Sequence, residues 1–177
     1  MKKQWWLLAL AATVGPTLLS CLDPVTTDAI TALGPEPGGR EPDENHRPGQ
    51  PCLLCHGGNG PGEPTFSVAG TVYKTLKDKE PAEDAVVHVF DATGAEYTVT
   101  TNKAGNFYFR AGEEEGRSAR DDDGPKANPI FPLQIEVEGE GKRAKMTSWV
   151  NGSGSCATCH VGDGSNERAP VVYLFRE

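Results

Sequence analysis

Two Cys-x-x-Cys-His motifs, about a hundred residues apart, are the part of this chain whose residue types and spacing could do chemistry. The first motif is Cys52–His56 (CLLCH) and the second motif is Cys156–His160 (CATCH). Three chemistries use such cysteine pairs: attachment of c-type haem, a zinc site of four thiolates, or disulfides. Only haem attachment also requires a histidine directly after each pair, because that histidine binds the iron. The sequence therefore predicts two c-type haems, attached by Cys52, Cys55, Cys156 and Cys159, with His56 and His160 as proximal iron ligands.

The fifth cysteine, Cys21, follows a segment that is typical of protein export. Lys2 and Lys3 precede a short apolar run, and the sequence Leu-Leu-Ser-Cys ends at Cys21. These features indicate a signal peptide over residues 1–20. The ending resembles a bacterial lipobox, in which the cysteine becomes the lipid-modified first residue of the mature protein. The alternative is an ordinary cleaved signal that leaves Cys21 as a free thiol.

The residue after Cys21 is Leu22 rather than aspartate, which by resemblance to enteric sorting favours the outer membrane. We therefore expect an exported lipoprotein of the outer membrane, on its periplasmic or cell-surface side. Export places the four remaining cysteines in an oxidising compartment, where thiols that bind no cofactor or metal tend to form disulfides.

The charge of the chain excludes one class of partner. The net charge is −8, and without residues 1–20 it becomes −10, with 15 basic and 25 acidic residues. Nucleic acids and anionic lipids select basic surfaces, so we expect no nucleic-acid partner and no membrane contact beyond the lipid anchor. The acidity serves either solubility or recognition of a basic redox partner, and the sequence leaves both open.

The mature chain divides into a tether and one domain. Residues 21–50 are rich in Pro and Gly and poor in large apolar residues, which predicts a flexible, lipid-anchored tether. Residues 51–177 form the predicted dihaem domain, with a sandwich core over about 66–150. Short segments rich in Val, Thr, Tyr and Phe, separated by turn signals, predict a mostly β fold. The predicted strands are Phe66–Lys74, Ala85–Asp91, Glu96–Thr101, Asn106–Arg110, Pro132–Glu138, Ala144–Val150 and Val171–Phe175.

About seven short strands at this spacing indicate an antiparallel β-sandwich flanked by the two motifs. Three segments, Ser67–Tyr73, Ala85–Val89 and Thr100–Phe109, together resemble a carboxypeptidase-regulatory-like, prealbumin-type β-sandwich. That resemblance implies a fold and no activity, because such sandwiches are scaffolds and binding modules.

The mature chain also resembles a group of bacterial c-type cytochrome lipoproteins that insert this sandwich between two Cys-x-x-Cys-His motifs. The resemblance includes His46–Pro51 before the first motif and Lys145–Ser148 before the second. The chain departs from it in an acidic insertion over residues 113–123, which we interpret as a solvated loop.

Few side chains are available for the sixth position of each iron. The remaining histidines are His46 and His88, and the one methionine within the domain is Met146. His88 lies on a predicted strand and is interpreted as a strand histidine, since ligands of large cofactors more often come from loops. His46 is either a solvated loop residue or a ligand, and the resemblance favours a ligand. Met146 is either a core side chain or a ligand, and which iron each residue would serve stays open.

These features predict a lipid-anchored electron-transfer protein that uses two haems and docks with redox partner proteins. No Ser-His-Asp or paired-carboxylate arrangement that would indicate an enzyme stands out. Two alternatives remain. One is a haem-free exported binding module whose cysteines hold zinc or disulfides, and the other is a haem enzyme or sensor with an open iron site.

Overall fold

The computed structural model describes residues 23–36, 42–112, 124–162 and 169–175 of the chain. Within these ranges the chain forms nine strands and few helices, so the predicted mostly β class is confirmed. The strands are β1 (Phe66–Thr75), β2 (Val86–Phe90), β3 (Glu96–Thr100), β4 (Asn106–Arg110), β5 (Gln134–Gly139), β6 (Lys142–Lys145), β7 (His160–Gly162), β8 (Ala169–Pro170) and β9 (Val172–Phe175). Two helices, α1 (Pro24–Ala32) and α2 (Cys52–His56), and a 3₁₀ turn (Cys156–Thr158) complete the described elements.

Three of the predicted features lie outside the described residues: the signal peptide over residues 1–20, the lipidation site Cys21 and the acidic insertion over 113–123. Neither of the two described helices has the length and apolar character that crossing a membrane requires.

Seven of the strands form two sheets. The first sheet has the order β4-β1-β9 and the second sheet has the order β3-β2-β5-β6, while β7 and β8 form a separate small pair. Antiparallel pairing was expected throughout, but β9 runs parallel to β1, with Val72 opposite Val172, and β7 runs parallel to β8. The two parallel pairs both involve the segment that follows the second motif.

The two sheets enclose one apolar core. Alternate side chains of β2 show this arrangement: Val87 and Val89 are fully buried, whereas His88 between them points to the outer face of the second sheet. Opposite them, β1 and β4 contribute Val68 and Phe109, which are also buried. Burying each such side chain stabilises the fold by roughly 1.5–3 kcal/mol, so alternating burial fixes which residues of each strand face outward.

The sixth predicted strand was placed less accurately than the other six, of which the last, Val171–Phe175, matches β9 to within one residue. Strand β6 covers Lys142–Lys145, whereas the expected strand was Ala144–Val150. Beyond Lys145 the chain still follows β5, since the Met146 amide donates to the Ile135 carbonyl at 2.9 Å, but it is no longer regular. The charged side chains of β6 pair with Glu136 on the neighbouring strand β5. Glu136 accepts from Arg143 at 2.6 Å and from Lys145 at 2.9 Å. Such cross-strand ion pairs replace the apolar alternation that a sequence pattern detects.

Helix α1 lies in the segment expected to be an unstructured tether. Asp23 caps it by accepting a hydrogen bond from the Val25 amide at 3.2 Å, and Pro24 stands at its first position, where proline is favoured. No residue of α1 is buried, although the helix contacts α2. The Asp-Pro pair is the sequence signal that could have located this helix.

Candidate haem sites

The histidine of the first motif is held on three sides. His56 ends helix α2, and its Nδ1 hydrogen-bonds to the Pro64 carbonyl oxygen at 2.9 Å. The Phe66 ring stacks on one face of the imidazole at 4.3 Å, and Gly62 lies so close that an added Cβ would be 2.8 Å from ring atoms. Nδ1 is therefore the protonated nitrogen, and Nε2 has no hydrogen-bond partner among the described residues. A histidine that donates Nδ1–H to a carbonyl and leaves Nε2 unpartnered has the arrangement of a metal ligand.

His46 faces His56 across a short gap. The ring centroids are 5.9 Å apart, and the planes are inclined by 39°. Two imidazoles bound to one metal ion from opposite sides have centroids about 6 Å apart, because each metal–nitrogen bond is about 2 Å long. The Nδ1 of His46 also contacts a backbone carbonyl, that of Asp43. The separation of the two rings is therefore close to that of two imidazoles that share one metal ion.

The loop that carries His46 is fastened to the first sheet. The Asn106 side-chain amide donates to the His46 carbonyl at 3.0 Å, and the Gly49 amide donates to Thr71 Oγ1 at 2.7 Å. Arg47 extends the attachment by pairing with Glu36 at 2.9 Å, which ties the end of the α1 segment to the same loop. His46 is therefore positioned by strands β1 and β4, more than twenty residues away in sequence.

The environment keeps His56 neutral. Burial lowers the pKa of His56 below its ordinary value, and His46 nearby lowers it further, while the Pro64 carbonyl acts in the opposite direction. A neutral imidazole is the form that binds iron, so this environment favours the ligating state.

A cleft of about 710 Å³ opens beside these two imidazoles and is called the first cleft. Its volume lies within the range of pockets that hold cofactors, about 300–1,000 Å³. Cys52, Cys55, His56 and His46 all line it, and Phe107 closes one part of its wall. Four carboxylates also line it: Glu36, Asp43, Glu44 and Glu63.

The second motif begins in the 3₁₀ turn and packs onto β1. The Ala69 amide donates to the Gly154 carbonyl at 2.9 Å, and Cys156 lies over Gly70, where a Cβ would be only 2.7 Å from the Cys156 Cβ. A glycine inside a strand often marks such a close approach. His160 follows in β7, and its Nδ1 hydrogen-bonds to the Pro170 carbonyl at 2.6 Å. Nδ1 is therefore the protonated nitrogen of His160, as it is of His56.

A second cleft, of about 450 Å³, adjoins this motif. Cys156, Cys159 and His160 line it together with Met146. Among the described residues no carboxylate lines it, and Lys145 is its one charged side chain. Its other walls are mainly apolar side chains of the core: Phe107, Ile135, Val137, Val150, Val171 and Val172.

The structure thus brings each candidate distal ligand into the cleft of the nearer motif. His46 lies with the first motif and Met146 with the second, a pairing that the sequence left open. His88 lines neither cleft. Its Nδ1 contacts Glu96 at 2.7 Å, and Glu138 lies 3.7 Å from its Nε2, on the outer face of the second sheet.

The four cysteines of the motifs are not gathered into one site. None of them forms a disulfide, and no group of three or more metal-ligating side chains converges anywhere in the described part of the chain. Burial raises the pKa of Cys52 to about 11 and that of Cys156 to about 12. These surroundings favour a thiol or a thioether over a thiolate, and a thioether is the form that haem attachment produces.

No family model, curated protein or solved structure matches this chain. The resemblance to dihaem cytochrome lipoproteins therefore stays a prediction.

The sequence did not reveal the residues that hold the candidate ligands in place. Gly62, Phe66 and the Pro64 carbonyl orient His56, and the Pro170 carbonyl orients His160. A Gly/Pro-rich segment directly after the first motif was the available signal, but it indicated only a turn.

Replacing Gly62 by alanine tests the support of His56. We expect Gly62→Ala to destabilise the protein by about 1–3 kcal/mol, because the new methyl group overpacks the ring and Phe66 prevents the ring from moving away. Urea unfolding followed by circular dichroism measures the change. Gly152→Ala is the matched control, since nothing lies within 4 Å of its added Cβ. Equal stability of the two variants would contradict this account of the ring.

Proposed function

We propose that this protein is a c-type cytochrome that carries two covalently attached haems and transfers electrons between redox partner proteins. The observation that carries the proposal is the grouping of the predicted ligands. Each motif shares a cleft with one candidate distal ligand: His46 with His56, and Met146 with His160.

The residues of each cleft would hold a haem in a defined way. The cysteine pairs would attach it, His56 and His160 would bind the iron through Nε2, and His46 and Met146 would each supply a further iron ligand. When bound, each haem supplies a one-electron Fe(III)/Fe(II) couple. A second candidate ligand in each cleft would leave little room for a substrate at the iron, which suits electron transfer better than catalysis.

The rest of the chain would support this role. The two sheets form a prealbumin-type sandwich that fixes the two clefts relative to each other, and a lipid on Cys21 holds the protein at the outer membrane, on the periplasmic or cell-surface side. Redox proteins then dock with the domain, and no nucleic acid is bound.

Haem content tests the proposal directly. The full chain is produced in a bacterial host with c-type maturation, and haem is measured by absorption and by haem staining after denaturing electrophoresis. We expect two covalent haems per chain, in the membrane fraction. The paired substitutions Cys52→Ser/Cys55→Ser and Cys156→Ser/Cys159→Ser should each leave one. A protein without covalent haem would reject the proposal and favour the haem-free binding module.

A further inference from the structure

Arg47 fastens the end of helix α1 to the loop that carries His46. Its guanidinium pairs with Glu36 at 2.9 Å, and its Nη2 donates to the Gly34 carbonyl at 2.7 Å. Its Nη1 donates to the Gln50 side chain at 2.9 Å, within the loop itself. The side chains of Arg47 and Glu36 are 20% and 17% exposed, and salt screens such partly buried pairs less than exposed ones. These contacts of Arg47 are called the Arg47 clamp.

Helix α1 depends on this clamp, because the helix itself buries little surface. It has nine residues, and isolated helices shorter than about 12–15 residues are marginal in water. None of its residues is buried, although it contacts α2. Beyond its end, Leu33 and Glu36 line the first cleft. The clamp therefore decides whether α1 stays beside the first motif or moves away from it.

The start of α1 is close in sequence to the expected lipid anchor. Cys21 precedes Asp23, the cap of α1, by two residues, and two residues span at most about 7 Å. The nine helical residues add roughly 14 Å at 1.5 Å per residue. With α1 held by the clamp, Cys21 therefore lies within roughly 25 Å of Arg47. A fully extended chain between the same two residues would span roughly 90 Å.

Charge does not supply this proximity to a membrane, because anionic lipids attract basic surfaces. The first cleft is instead lined by carboxylates, those of Glu36, Asp43, Glu44 and Glu63. Val25, in the first turn of α1, is 75% exposed, more than any other large apolar side chain in the described part of the chain. An apolar side chain four residues from a lipid anchor is suited to the lipid surface.

We propose that the surface formed by α1 and residues 42–50 is the side of the protein that faces the membrane, and that the Arg47 clamp fixes its distance from the lipid. The partner of this surface is the bilayer that carries the anchor. The inference rests on the lipidation of Cys21, which belongs to the proposed function. A short spacer that ends at α1 thus replaces the flexible tether that the sequence predicted, and it keeps the first motif near the membrane.

The height of the protein above the bilayer tests the inference. The full, haem-loaded chain is purified with its lipid and inserted into a supported bilayer. Neutron reflectometry then measures the protein density along the bilayer normal. A compact domain of this size is roughly 40 Å across. For the unmodified protein we expect one layer of that thickness directly against the lipid headgroups, without a hydrated gap.

Two variants open the clamp. Arg47→Gln and Glu36→Gln should each broaden the layer and move its centre outward by on the order of 10 Å, because the released chain behaves as a flexible linker. Arg47→Gln also alters the loop, whereas Glu36→Gln changes only the α1 side of the clamp. Lys74→Gln is the matched control, since it removes ion pairs with Glu80 and Glu140 that involve no residue of the clamp.

Hydrogen exchange of the α1 amides gives a second readout on the same proteins. A helix that loses its tertiary contacts opens more often, so its amides exchange faster. Both clamp variants should speed the exchange of α1 several-fold, and Lys74→Gln should leave it unchanged.

Two results on the lipidated protein would overturn the inference. In the first, a hydrated gap separates the unmodified protein from the headgroups. In the second, both clamp variants keep the density profile and the exchange rates of Lys74→Gln. The unmodified protein decides the first even if a variant fails to fold. A chain that carries haem but no lipid would reject the proposed anchor and the inference with it. A lipidated chain without haem would reject the proposed cytochrome, and the same profile would still test the orientation.

Discussion

Replacing Met146 by alanine is expected to let carbon monoxide bind rapidly to one haem of the reduced protein, whereas the unmodified protein binds it slowly or not at all. Alanine has no atom that can occupy the sixth position of the iron, so the small ligand enters without competition. Met146 shares its cleft with His160, and the haem of the second motif should therefore be the one that opens. His46→Ala should open the haem of the first motif in the same way.

The controls separate loss of a ligand from loss of packing. Met146 packs partly buried against the core, so alanine also leaves a cavity there. Met146→Leu keeps the volume but not the sulfur, and it should bind carbon monoxide as Met146→Ala does. His88→Ala should bind none, since His88 lines neither cleft. Rapid binding at both haems of the unmodified protein would contradict the assignment and would favour the enzyme or sensor alternative.

Local patterns in the sequence predicted the regular part of the fold well. Strands β1 to β5 follow the expected positions to within two residues, because β-favouring residues between turn signals mark these segments. Strand β6 was misplaced because ion pairs with Glu136 stabilise it, and β7 and β8 were missed because they are only two or three residues long.

The motifs were likewise visible, but the surroundings of their ligands were not. His46 is positioned by Asn106, sixty residues later in the chain, through a hydrogen bond at 3.0 Å. No local pattern contains such a contact, so the sequence could not say which iron His46 would serve. Phe107 and Phe109 are both inward residues of β4, so the sequence does not distinguish them. In the folded chain Phe107 lines both clefts, whereas Phe109 lines neither.

The two clefts differ in charge as well as in ligands. Glu36, Asp43, Glu44 and Glu63 line the first cleft, and Arg47 is paired with one of them, Glu36. The second cleft has Lys145 and apolar walls. Negative charge near an iron stabilises the ferric state, and thioether sulfur stabilises the ferrous state. Both effects act in the same direction, so they should separate the potentials of the two haems.

A redox titration of the haem-loaded protein should therefore show two separate potentials, with the more negative one at the first motif. The single-haem variants Cys52→Ser/Cys55→Ser and Cys156→Ser/Cys159→Ser assign each potential to its site. Met146→His should shift the second potential strongly downward, since axial ligands account for much of the roughly 0.8 V range of haem potentials.

The charge contribution can be tested apart from the ligands. Glu44→Gln and Glu63→Gln should each raise the more negative potential by tens of millivolts and leave the other nearly unchanged, because each removes one carboxylate from the first cleft only. Glu138→Gln, on the outer face of the second sheet, should change neither potential.

If the more positive potential belonged to the first motif, the ligand assignment would be wrong. If Met146→His narrowed the gap but the glutamate variants had no effect, the difference would come from the ligands alone. The expected order instead places the more positive potential at the second motif, where His160 and Met146 would hold the iron and no carboxylate lines the described part of the cleft.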